Sequence, residues 1–293
     1  METVYCILVN YHAIAHTLEC IQSVVSSENI SVQIVVVDNA SQEDCARTIH
    51  AVYPSVHVIE NKQNVGFAAA NNLGIRWALE QGAAYVLLLN NDTVMEPDCL
   101  TYFLTDAAVH PDCIITGKIL NYYDRKKIWY GGGSLHPYKG DAVSFGFDEI
   151  DHGQCDQERI CDFASGCCML LSAATASQYA LPEEYFLYYE DVDYCNQLSH
   201  HAVHVFYDPR AKIYHKESVS TNKSSPAYTY YFTRNRMLYI SRNIHGLAKF
   251  FARGYSYLWF AKKVLTKKFR YADVICGIQD YKQGRTGKRQ PKA

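Results

Sequence analysis

The sequence has no run of about 18 uncharged apolar residues, the length a membrane-spanning helix needs. The nearest stretch, residues 247–265, is broken by Lys249, Arg253, Lys262 and Lys263. The chain opens METVYCILVNYH, without the basic flank and small-residue cleavage site of a secretory leader. Its eleven cysteines do not fall into paired C-x2-C spacings, which argues against a structural zinc site. Their odd number argues against a closed disulfide framework, so free and mostly buried thiols in a reducing cytosol are expected. G-x-G-x-x-G and G-x-x-x-x-G-K-[ST] are both absent, which removes the usual dinucleotide and P-loop readings. There is no internal repeat, and no low-complexity tract apart from the last ten residues, GRTGKRQPKA, which are expected to be disordered. Basic residues are scarce over most of the chain: residues 1–241 hold 15 Lys and Arg against 28 Asp and Glu. Residues 242–293 reverse this, with 13 against 2. The formal net charge is only −2, which speaks against a general nucleic-acid binder and leaves a basic appendage on an acidic body.

What is present is a large apolar fraction, 48% of 293 residues, enough for one large domain or two intimate ones. Residues 3–9, 32–37, 56–59 and 85–89 are short apolar runs that read as strands. Residues 14–25, 43–52, 67–80 and 98–109 have helical spacing. Apolar strands alternating with helices predict an α/β fold, with a mostly parallel central sheet flanked by helices on both faces. Beyond residue 114 the rhythm changes. Residues 160–171 read as one or two strands returning to the core, 181–198 end in a helix, and 203–207 form a short strand. Residues 228–243 and 246–261 are helical and aromatic-rich, the latter amphipathic.

Ligands of such sheets bind at the carboxyl ends of the strands. Three strand ends carry polar clusters: Asn10-Tyr11-His12, Asp38-Asn39-Ala40-Ser41 and Asn90-Asn91-Asp92. Singly, each is explained by turns and helix caps, and Ser41 would cap the helix that follows it well. Together they point to a ligand site. Asp38 is placed to accept from a nucleotide base or a ribose hydroxyl. Asp92 is placed to hold a divalent metal bridging two phosphates.

Four stretches, VVVDNAS (35–41), NVGFAAANNLGI (64–75), LLLNND (87–92) and EDVDY (190–194), together resemble the family 2 glycosyltransferases, especially those of the bacterial rhamnosyltransferase type. The resemblance covers residues 3 to about 240. It implies a GT-A fold and inverting, metal-dependent transfer from a nucleotide diphosphate sugar to a saccharide or lipid-linked acceptor in cell-surface polysaccharide synthesis. The donor it favours is dTDP-rhamnose, with UDP-linked hexoses open. It implies that Asp38 holds the base, with Asn10 and Tyr11 lining the same pocket. Asn64, Gly66, Phe67 and Asn71 would pack against ribose and diphosphate, with Gly66 letting the backbone come close. Asn90-Asn91-Asp92 takes the D-x-D position, so Asn91 joins the donor site and Asp92 the metal, Mn2+ or Mg2+. Asn90 departs from the pattern, since a neutral amide is a poorer metal ligand.

Three acids, Glu190, Asp191 and Asp193, follow a bulky aromatic run. A carboxylate desolvated there has a raised proton affinity and suits general-base work. The resemblance gives Asp191 that role, taking the proton from the acceptor hydroxyl. It also implies that His215 completes the metal shell, although a lone His is more often structural. It places Tyr231, Arg234 and Asn235 near the diphosphate, where Arg234 could clamp a phosphate oxygen.

The expected division is a nucleotide-sugar-binding half (1–115), an acceptor-binding and catalytic half (116–240) and a basic helical appendage with a flexible tail (241–293). Aromatic and basic residues alternate through 247–270. That composition suits an anionic membrane surface, which would make the enzyme peripheral on the inner face of the cell membrane. It equally suits docking onto the catalytic body or a dimer mate. Two rival functions stay open: a sugar nucleotidyltransferase, which lacks its Gly-rich basic loop here, and a non-catalytic module that binds nucleotide sugars or membranes.

Overall fold

The computed structural model describes residues 3–27, 30–217 and 225–290. In chain order the strands are β1 (Val4–Asn10), β2 (Val32–Asp38), β3 (His57–Glu60), β4 (Tyr85–Asn90), β5 (Thr93–Met95), β6 (Cys113–Asn121), β7 (Ile128–Tyr130), β8 (Gly133–His136), β9 (Asp141–Ser144), β10 (Arg159–Cys161), β11 (Cys168–Ser172) and β12 (His204–His215). The helices are α1 (Ile14–Val25), α2 (Cys45–His50), α3 (Phe67–Glu80), α4 (Cys99–Val109), α5 (Ala173–Gln178), α6 (Glu190–Ser199), α7 (Pro226–Asn243), α8 (Gly246–Leu265) and α9 (Tyr271–Lys282).

One ten-stranded sheet organises the chain, eight strands running in the order β10-β12-β6-β11-β4-β1-β2-β3, with β5 added on β12 and β7 on β6. The β4-β1-β2-β3 portion is parallel. Its strands are apolar on both faces because helices cover both, and Val4, Cys6, Ile7 and Leu8 of β1 are fully buried. α3 comes close to β1 because Gly74 has no side chain: a Cβ there would lie 2.4 Å from Ile7 Cγ2. β11 enters between β4 and β6 antiparallel to both, so the sheet is mixed beyond β4. The sequence reading of 160–171 therefore splits into β10 and β11. The short strand read at 203–207 continues to His215, because β12 pairs with β6 along its length and its last three residues also pair with β5.

Two local expectations need correction. Ser41 does not cap α2. Asp44 does, accepting from the Arg47 N–H, while the Ser41 hydroxyl accepts from His12 N–H and the Asn10 amide. Of the last ten residues, 291–293 lie outside the described residues, but 284–290 are hydrogen-bonded to the body rather than hanging free.

α7, α8 and α9 pack beside the sheet. α8 buries Ala252, Ser256 and Phe260, and Trp259 stacks on Phe232 of α7 at 5.3 Å. Its other face leaves Leu247, Phe250, Phe251, Leu258 and Leu265 exposed. All eleven cysteines are free, and only Cys113 is more than marginally accessible. No helix among the described residues is long and apolar enough to cross a membrane.

Candidate active site

The carboxyl ends of β1, β2 and β4 are tied together by side chains. Parallel register sets Asn10 beside Asp38 and Val9 beside Asn90. The Asn10 amide donates to Asp38 Oδ1 (3.0 Å) and the Ser41 hydroxyl (3.0 Å). Its oxygen accepts from Thr17 (2.8 Å), whose hydroxyl accepts from the Asn91 amide (2.8 Å). Asp38 Oδ2 accepts from Ser41 N–H. Asn10 is fully buried and Asn91 nearly so. Expected to line the ligand pocket, both instead hold Asp38 and the β4 turn in place. An ionised carboxylate has about four acceptor positions, so Asp38 keeps capacity for a ligand beyond its two internal donors. Tyr11 stands at the rim, exposed, its ring 4.4 Å from that of His12.

Asn39 is the hub that these motifs do not announce as one. Its amide donates to Asn64 Oδ1 and Gly66 O, and its oxygen accepts from Asn61 and Val65 N–H. The strand-two end thereby fixes the whole Asn64–Phe67 turn. Gly66 has φ +93°, and a Cβ there would sit 2.5 Å from Phe186 O. The Phe67 N–H donates to that same oxygen at 2.8 Å. The start of α3 is thus docked on the aromatic turn that precedes α6. Asn71 is buried and donates back to Phe67 O within its own helix. The adjacent Asn72, which the motif passes over, bridges to Leu181 on both sides of its amide and to Glu183.

Asp92 and His215 meet although they are far apart in sequence. β5 pairs antiparallel with β12, which sets His215 opposite Thr93, and the Lys216 N–H donates to Asp92 O. His215 Nε2 lies 3.2 Å from Asp92 Oδ1, with both side chains largely buried. Burial pushes the Asp92 carboxyl up, but His215 more than reverses that, holding it below the usual carboxylate range. His215 Nδ1 is buried without a hydrogen-bond partner, and the Trp129 ring meets the imidazole edge-on at 4.5 Å. Among the described residues no group of three or more His, Cys, Asp and Glu side chains could hold a metal ion by itself. The Asp92 carboxylate is an oxygen ligand of the kind Mn2+ and Mg2+ take, while the His215 imidazole suits a transition ion such as Mn2+ rather than Mg2+.

Asp191 sits in the first turn of α6, partly buried. Its two oxygens accept from Gly166 N–H (3.0 Å) and Val192 N–H (2.8 Å). Burial raises its proton affinity, and those N–H groups only partly offset the effect. Glu190 beside it is buried, with Oε2 unpartnered, and is pushed up further by burial and by the Asp191 charge. The segment Ser165-Gly166-Cys167 joins the two carboxylate regions: Gly166 N–H holds Asp191, and Cys167 O accepts from Asn90 N–H at 2.9 Å. The buried Cys167 thiol is pushed up by burial and feels both the Asp92 and the Asp191 charges. Asp92 and Asp191 therefore flank one loop rather than lying on opposite faces of the molecule. The turn leading into α6 is strained, with Phe186, Tyr188 and Tyr189 all at positive φ (64°, 68° and 75°). Such conformations cost on the order of 1–3 kcal/mol each for bulky residues and persist only where the surroundings impose them.

Arg234 does not face this cleft with free donors. Its side chain is 1% exposed, and its guanidinium is spent on Tyr185 O (2.8 Å), Gly287 O (2.6 Å) and the neighbouring Asn235. The expected phosphate clamp is replaced by a backbone clamp. An open cavity of about 490 Å³ lies beside the Asn64 turn, lined in part by Arg76, Glu183, Phe186, Lys288 and Gln290.

Residues 5–175 match the family model for glycosyl transferase family 2. The chain is 27% identical over 291 residues to a low-salt glycan biosynthesis hexosyltransferase, Agl10, of Haloferax volcanii, covering 96% of this chain and 92% of that one. It is 25% identical over 253 residues to the dTDP-rhamnosyl transferase RfbF of Shigella flexneri, covering 83% and 81%. The crystal structure of GalNAc-T7 with UDP, GalNAc and Mn2+ superposes with a TM-score of 0.62 at 12% identity. That match covers 91% of this chain and 57% of that one, and it bears on the fold alone, which is of the GT-A type.

Proposed function

The chain belongs to glycosyl transferase family 2, and from that premise we propose that it carries out an inverting transfer of a hexose in cell-surface glycan synthesis. The donor is a nucleotide diphosphate sugar, with dTDP-rhamnose first and a UDP-hexose second, and the acceptor is a saccharide or lipid-linked saccharide. The observation that carries this reading is the single loop, Ser165-Gly166-Cys167, that links the neighbourhoods of Asp92 and Asp191.

In this reading the nucleoside rests against Asp38, which Asn10 and Ser41 hold in place. Asn39 fixes the Asn64–Phe67 turn on which the diphosphate lies. Asp92 and His215 are the residues that would hold a divalent cation. A bound Mn2+ or Mg2+ supplies charge neutralisation to the departing diphosphate. Asp191 accepts the proton of the acceptor hydroxyl, whose oxygen forms the new bond at the anomeric carbon. The old bond to the diphosphate oxygen breaks on the opposite face, and its electron pair leaves with the nucleotide. One displacement inverts the configuration and needs no protein nucleophile. Burial raises the proton affinity of Asp191, which makes it a better base than an ordinary surface carboxylate.

The exposed stripe of α8, with Lys249, Arg253 and Lys262 on the same helix, suits an anionic membrane surface near a lipid-linked acceptor. Replacing Asp191 with Asn tests the core of the reading. Transfer should fall by at least about a thousandfold, while the thermal shift produced by nucleotide and Mn2+ persists. Near-normal turnover would remove the base assignment. Asp92→Ala should lose the Mn2+-dependent part of that shift.

A further inference from the structure

The turn that delivers Asp191 is gripped from behind by groups with no chemistry of their own. Its backbone carbonyls are collected by α7. The fully buried Asn235 amide donates to Tyr185 O (2.8 Å), Leu187 O (2.7 Å) and Tyr188 O (2.8 Å). Arg234 Nη2 adds a bond to Tyr185 O, and Arg234 Nε orients Asn235 through its side-chain oxygen. The C-terminal segment then closes the arrangement. Gly287 N–H donates to Glu184 O (2.6 Å), and Gly287 O accepts from Arg234 Nη1 (2.6 Å). Arg289 N–H donates to the Tyr231 hydroxyl, and the Tyr231 ring stacks on Phe186 at 5.0 Å. The segment is itself pinned to α9 by Arg289 to Asp273 (3.0 Å) and Arg285 to Asp280 (3.1 Å).

A turn with three bulky residues at positive φ does not hold itself, because each prefers another conformation. The geometry points to residues 284–290 as a strap that, with Arg234 and Asn235, keeps this turn in its strained form and so sets the aim of Asp191. The strap residues are positioning residues. The Gly287 and Arg289 backbone bonds to this region go to Glu184 O and the Tyr231 hydroxyl, while Lys288 and Gln290 of the same segment line the cavity beside the Asn64 turn. The inference rests on the assignment of Asp191 as the base, and it makes turnover depend on residues 284–290.

Gly287→Pro in the full-length protein removes the donor to Glu184 O and cannot adopt φ +68°. No neighbouring atom lies within 4 Å of a Cβ at Gly287, so the effect comes from the lost N–H, the ring carbon that takes its place against Glu184 O, and the forbidden φ. Asn235→Ala removes the same grip from the α7 side. The expected result for Gly287→Pro is a kcat lower by about tenfold with the donor KM within about twofold. Amide hydrogen exchange across residues 186–192 should accelerate, with β1 and β4 unchanged. Asn235→Ala should show the same pattern more strongly, and if it fails to fold, Gly287→Pro decides alone. Unchanged exchange in the turn would overturn the inference. So would a raised donor KM at unchanged kcat, which is the mark of a substrate-binding wall. Failure of the base assignment is separable: it shows as normal turnover in Asp191→Asn, whatever the exchange result.

Discussion

Gly66→Ala offers the sharpest test of how the two halves of the site are joined. Gly66 adopts φ 93° and ψ 172°, a region that is nearly glycine-only. Forcing alanine into it costs about 1–3 kcal/mol. The added Cβ would also stand 2.5 Å from Phe186 O and 2.8 Å from its ring, too close for any real contact. Overpacking of this kind costs a further 1–3 kcal/mol or so, because the obstacle is backbone rather than a movable side-chain end. Gly82 provides the control. It has φ +82° with nothing within 4 Å of its Cβ site, so Gly82→Ala carries a positive-φ cost of its own without the clash. The lower entropy of the unfolded alanine chain is common to both variants and cancels between them. Gly66→Ala should therefore be less stable than Gly82→Ala by about 1–3 kcal/mol in urea titrations. At about 2–4 °C per kcal/mol for a chain of this size, the two melting temperatures should differ by several degrees. Displacing Phe186 also moves the turn that carries Asp191, so kcat should fall in Gly66→Ala and hold in Gly82→Ala. If the two variants melt together, the contact between the Asn64 turn and Phe186 does not constrain the site as described.

Other outcomes follow from the same physics. Asp106 is buried against Asp208, and its proton affinity is pushed up to about 7 by burial and then by that neighbour. The native state therefore binds a proton that the unfolded chain has released between about pH 4 and pH 7, so its stabilising effect fades as the pH rises through that window. Asp106→Asn should flatten the decline, making the variant more urea-resistant than the parent at pH 8 but not at pH 4. Equal slopes would refute the assignment. On α8, Phe250 and Leu258 are each 74% exposed, so replacing both with Ser should leave stability within about 0.5 kcal/mol. Sedimentation with vesicles rich in anionic lipid should lose the variant, and added salt should weaken binding of the parent. A loss of self-association instead would assign the stripe to a second copy of the chain.

The first half of the fold was legible because a doubly covered parallel sheet writes itself as apolar runs between helices, and β1, β2, β3 and β4 fall where those runs are. β5 and β6 were not foreseen, and β12 ran longer than its apolar core of 203–207. Their pairing is long-range, and a stretch such as Tyr-Asp-Pro-Arg-Ala-Lys-Ile carries charges that alternate through a strand only because neighbours exist to receive them. At the site, motif spacing located the polar residues but could not say which face inward. Asn10, Asn91 and Arg234 look like ligand groups in one dimension, and in three dimensions their donors are spent on Asp38, Thr17 and backbone carbonyls. Asn72 carries no such sign, while Asn39 and Asn235 stand inside the motifs but act as structural hubs rather than ligand groups. An asparagine whose amide is engaged across 22 to 111 residues leaves no periodic trace. The one available hint was the density of asparagines beside the recognised positions. The disorder read into the tail failed for a related reason, since composition describes a segment without the carbonyls waiting to receive it.

The meeting of Asp92 and His215 on adjacent strands also has a meaning for biosynthesis. The first partner emerges early, on the edge of a sheet half already able to pair with itself, while the second arrives only when β12 slots between β10 and β6. A nascent chain stalled before that insertion could pair β1 to β4 yet would hold just one of the two residues proposed to bind the cation. If the two residues hold the cation as proposed, metal-dependent transfer waits until residue 215 has been made and β12 has paired.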